Sequence, residues 1–367
     1  MNILEVITDL RIGGAQRVAA NIGLFARAED HITYLVFDHQ IGDYEHDLRA
    51  HGHDVIHISA PSGGYLRHLR TLYREMRNGK YDVVHCHNMY SCGIVMLLGA
   101  MSGIQGRISH SHTAEDNELR NSFARRIYKR FMRELIWHFG TDYLACGEKA
   151  GEELYGAKRF RRKGVLIPNG IDIAAYAYAP ENRKQMRAQF GVRDQFVVGH
   201  VGHYVDVKNQ VFLIRLMPEI QKHRPDAVLL LFGEGKDRPM LEEEIATLSL
   251  SDSVRLMGNV NNIPQVLSAL DVFAFPSLME GTPLALLEAQ ANGLPCIVSE
   301  AVPGDACITD LIRKIPLSDV KRWAAEIASA QRPNGAEYTS VLKLKYEDVR
   351  ESMVKLGSIF QKYRFGG

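Results

Sequence analysis

Short apolar or β-branched runs recur along the first half of the chain at 2–7, 31–37, 54–58, 82–86, 106–111, 142–146 and 164–167. Most are bounded by Gly, Asp or His, and each predicts a strand. Amphipathic stretches at 15–28, 65–78, 90–102 and 119–139 predict helices between them. The second half repeats the scheme, with strands expected at 196–201, 227–232, 253–257, 271–275 and 295–298 and helices at 208–222, 237–248, 262–269 and 283–292. Strands that alternate with helices predict parallel sheets covered on both faces. Two such halves predict an α/β protein of two domains, with a cleft where the sheets present their carboxyl ends.

The 367 residues suffice for two domains. A composition of 46% hydrophobic and 24% charged residues is that of a soluble globular protein, and a net charge of +1 gives no reason to expect nucleic acid. The five cysteines, Cys86, Cys92, Cys146, Cys296 and Cys307, form no C-x-x-C pair. They predict reduced thiols in a cytoplasmic protein. The chain opens directly on a strand, without a signal-peptide pattern, and no apolar run is long enough for a membrane span.

Candidate chemistry concentrates in the second half. The strand Asp271–Pro276 leads into Ser277-Leu278-Met279-Glu280-Gly281-Thr282-Pro283-Leu284 and a helix that carries Glu288. Thr282 is expected to cap this helix, Pro283 to begin it and Gly293 to close it. The free N–H groups of the first turn, at 281–284, would then face an anion between two carboxylates. Such an arrangement suits the phosphates and hydroxyls of a nucleotide-sugar, although a plain solvated helix start has the same spacing. Upstream, Val198-Gly199-His200-Val201-Gly202-His203 runs through a glycine turn to Lys208, a compact positive charge suited to a diphosphate. Gly233, in the Gly-x-Gly turn after the strand ending at Phe232, would let backbone approach a ligand. In the first half, Gly13, Gly14 and Gln16 open a helix after the first strand, without the G-x-G-x-x-G of a dinucleotide site. His85, His87, His110 and His112 gather at strand ends. No carboxylate or cysteine pattern accompanies them, and the chain contains no Asp-x-Asp, so no metal and no cofactor are expected.

These segments resemble the family 4 retaining glycosyltransferases of fold type B. Glu280 to Glu288, followed by Ala291-Asn292-Gly293-Leu294-Pro295, is similar to the family's E-x7-E signature, and Ile167-Pro168-Asn169-Gly170-Ile171-Asp172 to its interdomain connection. The resemblance covers nearly the whole chain and implies two facing Rossmann-like domains. The first, 1–168, would bind acceptor; the second, 175–340, would bind donor; the stretch 341–367 would form a helix packing back on the first. Ile308-Thr309-Asp310-Leu311 and Trp323-Ala324-Ala325 are similar to bacterial members that build exopolysaccharide or capsule.

The resemblance also implies roles. Lys208 would hold the leaving diphosphate, with His203 where the family usually has arginine. Glu288 would hold ribose hydroxyls and Glu280 a donor-sugar hydroxyl. Gly202, Gly233 and Met257 would flank the nucleotide, with the base near Met257. His112, or alternatively His110, would face the donor sugar, and the Gly13-Gly14-Gln16 loop would meet the acceptor or the donor phosphates. The expected reaction is metal-independent transfer with retention from a nucleotide-sugar, UDP-linked by this reading, to a saccharide or lipid-linked saccharide. A sugar-nucleotide epimerase of the same fold and a non-catalytic sugar-nucleotide-binding protein remain rivals; turnover without acceptor, or binding without turnover, would reveal them. Finally, 119–139 carries six basic side chains and one acid, Glu134. Phe123, Ile127, Phe131, Tyr128 and Leu135 share one arc of the helix and Arg125, Lys129, Arg133, Arg126 and Arg130 the other. A basic face of this kind suits peripheral attachment to an anionic membrane, and a core-packed helix with a solvated basic face has the same pattern.

Overall fold

A computed structural model describes the chain except residues 12, 113–121, 282, 334–338, 340–341, 343–345, 347 and 365–367. It divides into two compact units, Met1–Gly170 with the chain from Val349 onward, and Ile171–Asp348. The resemblance implies boundaries at 168–175 and at 341.

The first unit holds a seven-stranded parallel sheet. Its strands are β1 (Asn2–Ile7), β2 (His31–Val36), β3 (Asp54–His57), β4 (Val83–Cys86), β5 (Gly106–Ser111), β6 (Asp142–Ala145) and β7 (Gly164–Leu166), ordered β3-β2-β1-β4-β5-β6-β7. Five of the six residues in β1 and in β2 are buried, as expected for strands covered on both faces. The Val349–Gln361 helix belongs to this unit and places Leu356, Ile359 and Phe360 in the same core as Ile3, Ile22 and Ile32. Lys362 Nζ lies 2.9 Å from Asp142 Oδ1 and Ser352 Oγ donates to the Pro168 carbonyl at 3.1 Å, which pins the chain end to this sheet.

The second unit holds β8 (Phe196–Val201), β9 (Ala227–Phe232), β10 (Val254–Gly258), β11 (Val272–Phe275), β12 (Cys296–Ser299) and β13 (Ile312–Ile315), parallel in the order β10-β9-β8-β11-β12-β13. β13 was not anticipated. Among the described residues only β12 pairs with it, and Arg313 and Lys314 interrupt its apolar pattern, as suits an edge strand. In each unit the strand order reverses beside the first strand, between β1 and β4 and between β8 and β11. Loops diverge there and leave room for a ligand at the carboxyl ends of the strands.

The helix at Phe123–Phe139 departs from its expected orientation. Its buried residues are Met132 and Ile136. Of the apolar arc, Leu135 is partly buried, but Phe123, Ile127, Tyr128 and Phe131 are exposed. Among the basic residues, Arg133 donates to the carbonyls of Leu154 and Glu153, and Lys129 Nζ lies 3.9 Å from a Glu153 carboxylate oxygen. Arg125, Lys129 and Arg133 are therefore the half-buried side chains, and much of the apolar arc faces out. A helical wheel gives two faces and not which one the neighbours take.

Candidate active site

In the second unit, the segments after β8 and β11 meet at the point where the strand order reverses. The expected helix start at 208 is instead a single turn of 3-10 helix, Asp206–Lys208, ended by Asn209 in the left-handed region (φ 54°). The helix proper runs Gln210–Gln221. Asn209 Nδ2 donates to the Pro276 carbonyl at 3.2 Å, and the Leu278 N–H to the Val207 carbonyl at 2.8 Å. These bonds stitch the two segments together. Lys208 Nζ consequently lies 2.7 Å from Glu280 Oε1 and 5.3 Å from the centre of the Phe275 ring. The lysine side chain is 23% exposed and the glutamate 7%, so the pair sits at a rim and is reachable from one side.

The next helix runs Leu284–Ala291. Pro283 occupies the position before it, so the helix starts one residue later than expected, and Thr282 lies outside the described residues. Leu286 and Leu287 donate back to the Pro283 carbonyl. The N–H groups of Leu284 and Ala285 have no helical carbonyl to bond. Gly281 is exposed, and a side chain there would meet nothing within 4 Å. At the other end Gly293 is left-handed (φ 72°), and the Leu294 N–H returns to Ala289 at 3.0 Å, closing the helix as anticipated. Glu288 lies on the buried side and accepts a 2.6 Å hydrogen bond from the Tyr176 hydroxyl, a partner 112 residues away that sequence spacing gives no hint of.

His203 is exposed; its Nδ1 lies 3.3 Å from the Glu234 carbonyl, and its own carbonyl accepts from Gln210 at 2.7 Å. Gly202 donates to the Phe232 carbonyl at 2.9 Å. Gly233 has φ 142°, and a Cβ there would fall 2.1 Å from the Gly202 carbonyl oxygen. At Gly233 the missing side chain lets one loop approach another. Met257 is half-buried against the core at the end of β10. Beneath the Lys208 turn lies His200, fully buried, with Nδ1 2.9 Å from the Ala274 carbonyl. The carbonyl accepts, so Nδ1 carries the proton and Nε2 is left to accept from Gln210 at 3.4 Å. Burial pushes the His200 pKa down to about 4, against the pull of the Ala274 carbonyl, and nearby Lys208 adds to the drop. A cavity of about 920 Å³ in this unit lies at the opposite ends of the strands; Arg183 and Arg187 in its wall are tied to Asp271, a structural arrangement.

In the first unit, the Gly14–Leu24 helix opens after Gly13 with no side-chain cap. A Cβ on Gly14 would meet nothing within 4 Å, so that edge is open, whereas Gln16 reaches back to Asp9 Oδ1 at 3.3 Å. The histidines form a network around Glu5, a fully buried carboxylate on β1. Its oxygens lie 3.1 Å from His85 Nδ1 and 2.7 Å from His87 Nε2, and His87 Nδ1 lies 2.7 Å from His112 Nε2. A carboxylate only accepts, so both first-named nitrogens carry protons. His87 Nδ1 is then an acceptor and His112 Nε2 the donor to it. Burial alone would raise the Glu5 pKa; His85 and His87 outweigh it and hold the carboxyl below its ordinary value. Burial and neighbouring rings lower the pKa values of His87, His110 and His112. No carboxylate partner for these histidines is legible in the local sequence, because the partner stands on another strand, 80 residues from His85. Nitrogens of His85, His87 and His110 lie within 4.8 Å of one another. Both His87 nitrogens are already engaged, however, which leaves His85 and His110 as donors, too few for a tetrahedral ion without rearrangement. His110 is fully buried, while His112, one residue past the end of β5, is partly exposed.

Comparison with known proteins decides between the chemistries such a site allows. Residues 12–175 match the model for Glycosyltransferase Family 4, and residues 182–313 that for Glycosyl transferases group 1. The chain belongs to the family 4 glycosyltransferases. It is 29% identical over 369 residues to EpsF of Bacillus subtilis (strain 168), whose glycosyltransferase name is itself provisional; the match covers 97% of this chain and 92% of that one. It is 30% identical over 249 residues to the Escherichia coli UDP-Gal:alpha-D-GlcNAc-diphosphoundecaprenol alpha-1,3-galactosyltransferase, covering 66% of this chain and 64% of the relative. The crystal structure of Anabaena HepE in complex with UDP-glucose superposes with a TM-score of 0.80 at 19% identity, over 99% of this chain and all of that one. This glycosyltransferase thus has the GT-B fold, with two Rossmann-like domains.

Proposed function

We propose that the protein is a hexosyltransferase that moves a sugar with retention, without a metal ion, from a UDP-sugar to a saccharide on a lipid diphosphate. The reading places it in bacterial exopolysaccharide or capsule synthesis, at the cytoplasmic face of the membrane. The observation that carries it is the Lys208–Glu280 pair beside the open first turn of the Leu284–Ala291 helix. Breaking a glycosyl–phosphate bond leaves negative charge on the diphosphate, and a fixed cation with oriented N–H groups stabilises that charge without reorganising. Glu280, adjoining the cation, would hold a hydroxyl of the sugar whose phosphate Lys208 holds. Glu288 and the Tyr176 hydroxyl would take the ribose. The acceptor oxygen would attack the face from which the diphosphate departs, and the diphosphate would take the acceptor proton. The UDP donor and the lipid-linked acceptor draw support from the ligand of the Anabaena structure and the name of the Escherichia coli relative.

The test is a thermal-shift screen against nucleotide-sugars, followed by turnover with a lipid-diphosphate saccharide in excess EDTA and NMR of the product. UDP-sugar binding, EDTA-resistant transfer and the donor's anomeric configuration in the product are expected. Clean inversion, or a metal requirement, would overturn the mechanism.

A further inference from the structure

The 920 Å³ cavity at the amino ends of the second sheet lies between the Pro180–Phe190 helix and the starts of β8 and β9. Five of its lining residues are cations: Arg183, Lys184, Arg187, Arg193 and Arg224. Arg183 and Arg187 share the single Asp271 carboxylate, at 2.5 and 3.1 Å, and also donate to backbone carbonyls. Arg332 stands beside them, its guanidinium 4.1 Å from the centre of the Tyr178 ring, and donates to the uncharged oxygens of Leu267, Leu270 and Asn292. Three guanidinium groups thus gather around one carboxylate. Burial, and then repulsion from Arg183, pull the Arg332 pKa down to about 10. Lys184, Arg193 and Arg224 form no ion pair among the described residues, although they line the same cavity. The Arg224 guanidinium lies over the Phe196 ring, 4.5 Å from its centre, and its buried Nε has no acceptor among the described residues. A buried N–H in that condition calls for a partner from outside the chain.

We propose that this cavity binds a small, multiply charged phosphate anion at a site separate from the one that holds the donor. A guanidinium presents its N–H groups in a planar fork that matches phosphate oxygens. Arg224 is set in place by the ring beneath it, and Lys184 and Arg193 reach the cavity from two other segments of the chain. Behind them, the Arg183–Arg187–Arg332 cluster adds uncompensated positive charge that is partly removed from water, where an anion gains most from it. Asp194 and Asp226 also line the cavity, but both are exposed, and solvent screens them. With Asp271 they set three carboxylates against six cations, so the balance favours an anion. β8 runs six residues from this cavity toward the Lys208 turn, roughly 20 Å at the rise of a strand. One diphosphate cannot span both places. The inference is independent of the donor and acceptor assigned above.

The experiment is calorimetric titration of the full chain with inorganic pyrophosphate, at low and high salt, with folding checked by circular dichroism. The titration is run on the parent and on Lys208→Ala, which removes the cation assigned to the donor's diphosphate. Binding should persist in Lys208→Ala and weaken with salt. In that background Arg224→Gln should weaken it about tenfold, and Lys184→Gln with Arg193→Gln about fivefold. Asp226→Asn should tighten it about twofold, since it removes an opposing charge. Lys149→Gln, an exposed lysine of the first unit, should leave it unchanged. Absence of binding at low salt, loss of all binding in Lys208→Ala, or undiminished binding by the variant with Lys184, Arg193 and Arg224 all changed to glutamine would overturn the proposal. So would equal weakening by Lys149→Gln and Arg224→Gln, the result expected of diffuse charge alone.

Discussion

Lys208 Nζ and Glu280 Oε1 lie 2.7 Å apart, so the cation and the carboxylate assigned to opposite sides of a scissile bond form one ion pair before any donor arrives. The pair fixes both side chains in place, and a donor has only to add its phosphate to the open side of the lysine. Removing one partner leaves the other half-buried and alone. Lys208→Ala is expected to fold and to lose about 10²–10³-fold in turnover, the loss typical of removing one group that stabilises a developing anion. Steady-state kinetics on the folded variant check this; full turnover would remove Lys208 from the site.

Tyr176→Phe tests the buried contact with Glu288. The variant leaves the carboxylate short of a charge-assisted hydrogen bond and should cost about 1–3 kcal/mol of stability. If Glu288 binds ribose, the donor KM should rise with little change in kcat. An unchanged KM would confine Tyr176 to packing.

Acid sensitivity follows from His200. Its folded pKa of about 4 lies below the ordinary value of 6.5, so between the two the unfolded chain binds the proton and the folded chain does not. Stability is therefore intact above about pH 6.5, falls as pH drops toward 4, and loses about 3 kcal/mol from this group by then. The lowered pKa values of His87, His110 and His112 act in the same direction. Thermal unfolding from pH 7 to pH 4 should show a steady fall in Tm, with a shallower slope in His200→Gln.

Glu5→Gln tests the histidine network. The amide presents one N–H toward a nitrogen that now donates, so one buried hydrogen bond is lost, at a cost of about 1–3 kcal/mol. Nitrogen-15 NMR of the imidazoles should show His87 as a single Nε2–H tautomer in the parent and a mixture in the variant. Identical spectra would mean that Glu5 does not set the tautomer.

Gly233→Ala should destabilise the second unit by about 2 kcal/mol or more, because φ 142° is closed to a side chain and the new Cβ meets the Gly202 carbonyl. Urea unfolding checks it, and a loss below 0.5 kcal/mol, the scale of a neutral surface change, would show that the loops can separate.

The sequence by itself determined the alternation of strands and helices, because apolar runs and their turns are local properties of the chain. All seven strands of the first sheet and five of the six in the second were legible this way; β13, short and interrupted by charge, was not. Glu280 and Lys208 were visible as residues because turn chemistry places them at loop ends, and Glu288 because it lies in the helix that follows that turn. Only the tertiary structure decided what they meet. The 2.7 Å pair of Lys208 with Glu280, the Tyr176 hydroxyl on Glu288 and the Glu5 carboxylate among the histidines each join positions at least 72 residues apart, brought together by strand order. Local pattern carries no record of that order. It also gives the two faces of the Phe123–Phe139 helix without saying which is inward, since that depends on Tyr90 and Glu153, contributed from elsewhere in the chain.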